Sequence, residues 1–202
     1  MNLPNKLTLL RIILVPFILL FLLPVPFMPG LFASWNGFVA QYGHYPAAFL
    51  FVVASFTDLL DGRIARSRGL VTNLGKFLDP IADKMLVISV LTVLVQQSRI
   101  HSIIAIIIIV REFVVTGIRL IASDRGKVIA ASNLGKTKTV LQMIAITYMM
   151  LEKTILVLAE NLIGRSVILA VGDIAMAAAV VLTIYSGYDY VIKNMSFLKD
   201  SK

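Results

Sequence analysis

"IILVPFILLFLLPVPFMPGLFASWNGFVAQYGHYPAAFLFVVASFT", residues 12–57, holds 46 consecutive positions without one Asp, Glu, Lys or Arg. About 20 apolar residues, rising about 1.5 Å each, cross the roughly 30 Å hydrocarbon layer of a bilayer. The stretch is long enough for more than one crossing and is interrupted by "PVPFMPG" at 24–30. The rest of the chain has the same character. It is 202 residues long and 58% hydrophobic, against about 45–50% in soluble domains, with mean hydropathy +0.89. The apolar runs are continuous rather than alternating, which excludes a β-barrel and predicts an all-α, polytopic membrane protein.

Working outward, six spans fit. The first is expected over about Leu7–Phe27 and is retained, since no small-residue cleavage site follows it. Gly30–His44 reads as a neutral loop with Trp35 and Tyr42 as interfacial anchors. Spans two to four are expected over about Tyr45–Arg66, Leu78–Gln97 and Ile100–Ile121. The fifth covers about Lys136–Leu151, "EKTILVLAENLIGR" follows as a short interfacial segment, and the sixth covers about Ser166–Ile192. No linker or repeat divides the chain, so 1–202 reads as one integral-membrane domain. Sixteen of the 19 Lys and Arg fall on one side of this arrangement; Arg99, Lys153 and Arg165 fall on the other. By the positive-inside rule both termini are cytoplasmic. The net charge of +8 is then explained by loops beside anionic lipid, and no nucleic-acid partner is expected. With no cysteine, disulfides and thiolate metal sites are excluded.

Against this background "DLLDGRIARSRGLVTNLGKFLDPIADK" (Asp58–Lys84) is anomalous, because it sets four aspartates where helices enter lipid. Asp58 and Asp61 are three residues apart and Asp79 and Asp83 four apart, so each pair shares a helical face. The turn with Gly69, Asn73 and Gly75 folds the second of these helices back on the first. Pro80 predicts that Asp79 caps the third span, with Pro80 in its first turn. Two carboxylates about 4 Å apart repel by roughly 4 kcal/mol at an effective dielectric near 20. Either some stay protonated or divalent cations neutralise them. Four carboxylates balance two dications, and oxygen-only ligands favour Mg²⁺, Mn²⁺ or Ca²⁺. A pair of such ions about 4 Å apart handles phosphate: it bridges a diphosphate and stabilises a leaving phosphate. Gly62 lets a ligand approach the backbone, and the fork of Arg66, one turn on, reaches phosphate oxygens. Intramembrane acids are functional by default; the other reading is a solvated, charge-rich loop.

These residues resemble a known signature. Asp58-x-x-Asp61-Gly62-x-x-Ala65-Arg66, then Gly75-x-x-x-Asp79-x-x-x-Asp83, fills every fixed position of the CDP-alcohol phosphotransferase family motif. The motif covers about an eighth of the chain, and the six-span layout is similar too. The resemblance implies that Asp58, Asp61, Asp79 and Asp83 hold two divalent cations, Mg²⁺ or Mn²⁺, with Asp83 also the general base. It implies that Gly62, Ala65, Arg66 and Gly75 line the pocket of a CDP-linked lipid. It also implies a homodimer in the cell membrane with its active site at the cytoplasmic face.

"PNKLTLLR" (Pro4–Arg11), "REFVVTGIR" (Arg111–Arg119) and "GKTKT" (Gly135–Thr139), with a weaker likeness at "YSGYDY" (Tyr185–Tyr190), are similar to the branch whose acceptor is sn-glycerol 3-phosphate and whose donor is CDP-diacylglycerol. A dianionic acceptor needs cations. Arg119 and Lys136 are expected to hold its phosphate, assisted by Arg111, Lys138 and the Thr8 hydroxyl. Each has a plainer alternative. Arg111 can bridge to Glu112, Lys136 and Lys138 can anchor a helix start, and Thr8 can bond within its own helix. Asn5 and Arg11 read as interfacial, His44 and His101 as satisfied surface histidines, and Asp173 as structural. Two rival functions remain open: another acceptor (inositol phosphate, serine or a phospholipid), and a cation transporter.

Overall fold

A computed structural model describes residues 3–28, 30–68, 73–124, 129 and 132–195, with the backbone alone at 3–5, 58–68, 73–80, 83 and 124. Among the described residues every regular element is helical: α1 (Leu3–Leu22), α2 (Ala33–Tyr42), α3 (His44–Arg68), α4 (Asn73–Gln96), α5 (Ser102–Asp124), α6 (Asn133–Ile163) and α7 (Arg165–Lys193). The chain forms two compact units, one of Met1–Arg99 with Met149–Thr154, the other of Ile100–Tyr148 with Ile155–Lys202.

In the first unit α1 packs on both α3 and α4. Its buried residues Thr8, Arg11, Val15 and Ile18 recur three or four apart, so one stripe faces its neighbours, polar at the start and apolar further on. Small residues Ala47, Ala48 and Ala54 flank Phe51 on the buried face of α3, and Leu86, Val90, Leu91 and Leu94 supply that of α4. The prolines after Leu22 stop α1. The link that follows is fixed by Asn36, whose side chain accepts from Val25 N (2.8 Å) and donates to Val25 O (3.1 Å).

Asn36 belongs to α2, and here the expected neutral loop is corrected: it contains a ten-residue helix. Trp35, Phe38 and Tyr42 lie on one face at helical spacing. Ring centroids step from Phe21 to Trp35 (5.7 Å), to Phe38 (5.6 Å) and to Tyr42 (6.0 Å). Aromatic packing and the Asn36 clamp outweigh a composition poor in helix formers.

Two further boundaries differ from expectation. α4 begins at Asn73, so Asp79 and Pro80 sit inside the helix and Asp79 is not its cap. A proline within a helix removes one N–H but does not end it when the surroundings hold the backbone. α6 runs unbroken through the expected interfacial segment to Ile163. The charge at Glu152 that suggested an end is answered by Arg99, whose Nη2 donates to Oε1 at 2.7 Å and whose Nε donates to Oε2. Beside this pair His44 shares a 2.8 Å hydrogen bond with the Thr154 hydroxyl; burial, and then the nearby Lys153 charge, lower its pKa.

In the second unit α5 packs on α7. The buried face of α7, Ile168, Gly172, Met176, Ala179, Thr183, Ser186 and Tyr190, steps by three or four residues with small side chains interspersed, which admits close helix approach. On α5, Ala105, Ile108, Val115, Ile118 and Ala122 form the matching stripe. Gly164 alone joins α6 to α7, at φ +85°, ψ 141°, a conformation that only glycine adopts without strain. The Tyr148 hydroxyl, midway along α6, donates to Ile168 O in the first turn of α7 at 2.9 Å, while Gly135 near the start of α6 and Gly187 near the end of α7 both lie against Arg111, so α7 turns back along α6 and the two run antiparallel. By length and composition α6 and α7 are each able to cross a membrane, and many large apolar side chains stay exposed, Val157, Leu162, Phe49 and Ile174 among them.

Candidate functional site

The ends of the first unit differ in chemistry. A cavity of about 170 Å³ lies at one end, lined by Phe21 of α1, Val39 of α2, His44 of α3, Val90 and Leu94 of α4, and Met149. The end of α1, the start of α3 and the end of α4 therefore meet there. α1 and α4 run in one sense and α3 in the other. From that level to Thr8 on α1, Asp58 on α3 and Asp79 on α4 is 13 to 15 residues in each case, or about 20 Å of helix. The helices thus bring Thr8, Arg11, Asp58, Asp61, Asp79 and Asp83 to the opposite end of the unit. The cavity and the aspartates are separate places.

Asp58, Asp61, Gly62, Ala65 and Arg66 are carried by the last three turns of α3, and Gly75, Asp79 and Asp83 by the first three of α4. The side chains of Asp58, Asp61, Arg66, Asp79 and Asp83, and the surroundings of Gly62, Ala65 and Gly75, lie outside the described residues. The donor set suits a hard dication: carboxylate oxygens paired on two neighbouring helices, with no sulfur. Among the described residues there is no other cluster of three or more acids or histidines able to hold a metal. Thr8 and Arg11 are buried. A buried guanidinium one turn from a buried hydroxyl gives this end of α1 a polar face where a lipid-facing helix would carry leucine.

The second unit gathers the cations expected to hold the acceptor. Arg111 and Glu112 fall in the middle of the α5 stripe, between Ile108 and Val115. The Arg111 Nη1 donates to Glu112 Oε1 at 3.2 Å and its Nη2 to Ser186 Oγ at 3.1 Å. Lys138 of α6, only 1% exposed, donates its ammonium proton to the same Glu112 oxygen. Two turns beyond, Arg119 is exposed; its Nε donates to the Tyr190 hydroxyl at 3.3 Å and its guanidinium carbon lies 5.6 Å from the centre of that ring. Lys136 is exposed at the start of α6, where Ser132 caps the helix by accepting from Gly135 N at 3.1 Å.

The bridge from Arg111 to Glu112 is thus present, and it does not consume the guanidinium, because the Nε N–H is buried with no hydrogen-bond partner among the described residues. Sequence reasoning missed the tie between Glu112 and Lys138 and the parts played by Ser186, Gly187 and Tyr190. The available signal was "YSGYDY", whose Ser186 and Tyr190 fall on the buried stripe of α7.

An all-helical chain with paired carboxylates on two adjoining helices and a separate set of buried cations is suited to phosphate-ester chemistry. The chain belongs to the CDP-alcohol phosphatidyltransferase family, whose model matches residues 1–185. It is 43% identical over 200 residues, 99% of this chain and 98% of the relative, to the CDP-diacylglycerol–glycerol-3-phosphate 3-phosphatidyltransferase of Bacillus subtilis (strain 168). It is also 39% identical over 189 residues, 94% of each chain, to the protein of the same name from Rickettsia typhi (strain ATCC VR-144 / Wilmington).

Proposed function

We propose that this chain transfers the phosphatidyl group of CDP-diacylglycerol to sn-glycerol 3-phosphate, giving phosphatidylglycerophosphate and CMP. The observation that carries the reading is likeness at 43% identity to a relative bearing that activity's name, with almost no unmatched residue on either side. The complete aspartate signature between Asp58 and Asp83 supports the chemistry independently.

In this reading α1, α3, α4, α5, α6 and α7 cross the membrane, and α2 lies at the outer surface. Both termini and the aspartate end are cytoplasmic. The alternating sense of α1, α3 and α4, and of α6 and α7, supports the arrangement, as does the uneven distribution of Lys and Arg. Asp58, Asp61, Asp79 and Asp83 would hold two divalent cations, Mg²⁺ or Mn²⁺, which would supply positive charge to offset that of the donor diphosphate and the departing CMP. Gly62, Ala65 and Gly75 leave room for the cytidine end, and Arg66 grips a phosphate oxygen. Arg119, Lys136, Arg111 and Lys138 hold the acceptor phosphate, with Thr8 contributing a hydroxyl. Asp83 takes the proton of the acceptor's primary hydroxyl. The oxygen forms a bond to the phosphorus carrying the diacylglycerol, and the bond from that phosphorus to CMP breaks. A site at the membrane surface lets the acyl chains stay in lipid throughout. The chain acts as a homodimer.

The test is an acceptor assay on purified protein, with and without EDTA. Glycerol 3-phosphate is expected to be incorporated, with loss in chelator and recovery on adding Mg²⁺ or Mn²⁺. Incorporation of serine or inositol phosphate in its place would reassign the acceptor, and cation flux without CMP release would replace the enzyme by a transporter.

A further inference from the structure

Glu112 is a carboxylate in the middle of an apolar helix stripe, at a position where leucine or isoleucine would complete the packing. Burying an acid there is costly unless its partners are fixed. Its partners are two cations from two helices, Arg111 of α5 and the almost fully buried Lys138 of α6. α7 holds the Arg111 guanidinium from another side through Ser186. α7 also makes space for the arginine: a Cβ on Gly187 would stand 2.9 Å from Arg111 Cγ, closer than real Cβ contacts come. Gly135, in the first turn of α6, lies 3.6 Å by the same measure from Arg111 Nη2. Three helices therefore converge on one guanidinium, and Glu112 joins it to one ammonium. A purely structural bridge needs one cation for one acid. Here two cations from two helices share one carboxylate oxygen, and the buried Nε N–H of Arg111 has no hydrogen-bond partner among the described residues.

We propose that Glu112 and Gly187 are positioning residues for the acceptor: Glu112 fixes the spacing of Arg111 and Lys138, and Gly187 leaves the room that lets Arg111 adopt it, so that both cations meet one phosphate monoester. This rests on the reading that glycerol 3-phosphate is the acceptor. Neither residue touches substrate. Both act through Arg111 and Lys138, and a displacement of about 1 Å in such a clamp is enough to lower turnover strongly.

The test is steady-state kinetics of full-length protein in detergent–lipid micelles, varying each substrate separately. Glu112→Gln keeps the shape and removes the charge; the apparent KM for glycerol 3-phosphate is expected to rise about tenfold, with that for CDP-diacylglycerol changing less than about twofold. Gly187→Ala should give the same one-sided rise. In an Arg111→Ala background, where the crowded side chain is gone, Gly187→Ala should add nothing. Equal changes in both KM values, no change in either, or additivity with Arg111→Ala would overturn the proposal. So would loss of folded protein in both single variants, which would assign the two residues to packing. The underlying reading fails differently: wild-type protein would not incorporate glycerol 3-phosphate, or Arg111→Ala would leave its KM unchanged.

Discussion

Arg119 shows how one exposed side chain is held in place. It is exposed, yet its Nε is held by the Tyr190 hydroxyl and its plane lies near the same ring. Such an arginine loses little freedom when it binds an anion. Arg119→Ala is expected to raise the KM for glycerol 3-phosphate much more than that for the CDP-lipid, and separate titration of the two substrates checks it; equal effects would make the arginine structural. Asp83→Asn keeps size and polarity but removes the proton acceptor. Turnover should fall to background while the protein remains folded and in the membrane, as judged by its yield after solubilisation. Near-normal turnover would remove Asp83 as the base. Asp58, Asp61, Asp79, Asp83 and Arg111 stand out as candidates because a charge in or beside an apolar run demands an explanation, and Arg119, Lys136 and Lys138 through the resemblance of their motifs. Ser186, Gly187 and Tyr190 do not, because a hydroxyl or a glycine in a helix is ordinary until its neighbour across the interface is known.

Among elements, α6 and α2 teach the same lesson from opposite directions. Charge at Glu152 and Lys153 made α6 look finished, and low helix propensity made α2 look like loop; pairing with Arg99 and aromatic stacking on Phe21 decide otherwise. Local pattern finds the long helices, since their apolar runs are long. It misplaces boundaries wherever a distant residue answers a local cost. The Arg99–Glu152 pair is open to test. Arg99→Ala leaves the Glu152 carboxylate, largely buried, without its guanidinium, at a cost of about 1.5–3 kcal/mol. Thermal unfolding in detergent should shift down by several degrees. The double variant Arg99→Met with Glu152→Met should recover most of that loss, since exchanging both charges for apolar groups leaves nothing unsatisfied. A double variant less stable than Arg99→Ala would show that the pair contributes more than mutual neutralisation.

For the whole molecule, composition makes the proposed orientation directly testable. With no native cysteine, single cysteines report cleanly. In intact cells a membrane-impermeant maleimide should label His101→Cys and spare Ser201→Cys, with the second labelled only after permeabilisation. The opposite pattern would invert the topology and place the aspartates outside. The helical class of the fold was readable from the long apolar runs, and the family from the aspartate signature between Asp58 and Asp83. The division into two units was not, because it depends on which stripes meet: α1 with α3 and α4, α5 with α7.

The position of α1 has a consequence for biogenesis. It precedes α3 and α4 along the chain, and it packs on both of these helices, which carry the acids. As α3 and α4 leave the ribosome, a template for their approach has already been made. Most of the first unit is therefore present once the chain has been made as far as Arg99, before α5, α6 and α7 exist. A nascent chain arrested soon after Arg99 would already contain every residue of the signature.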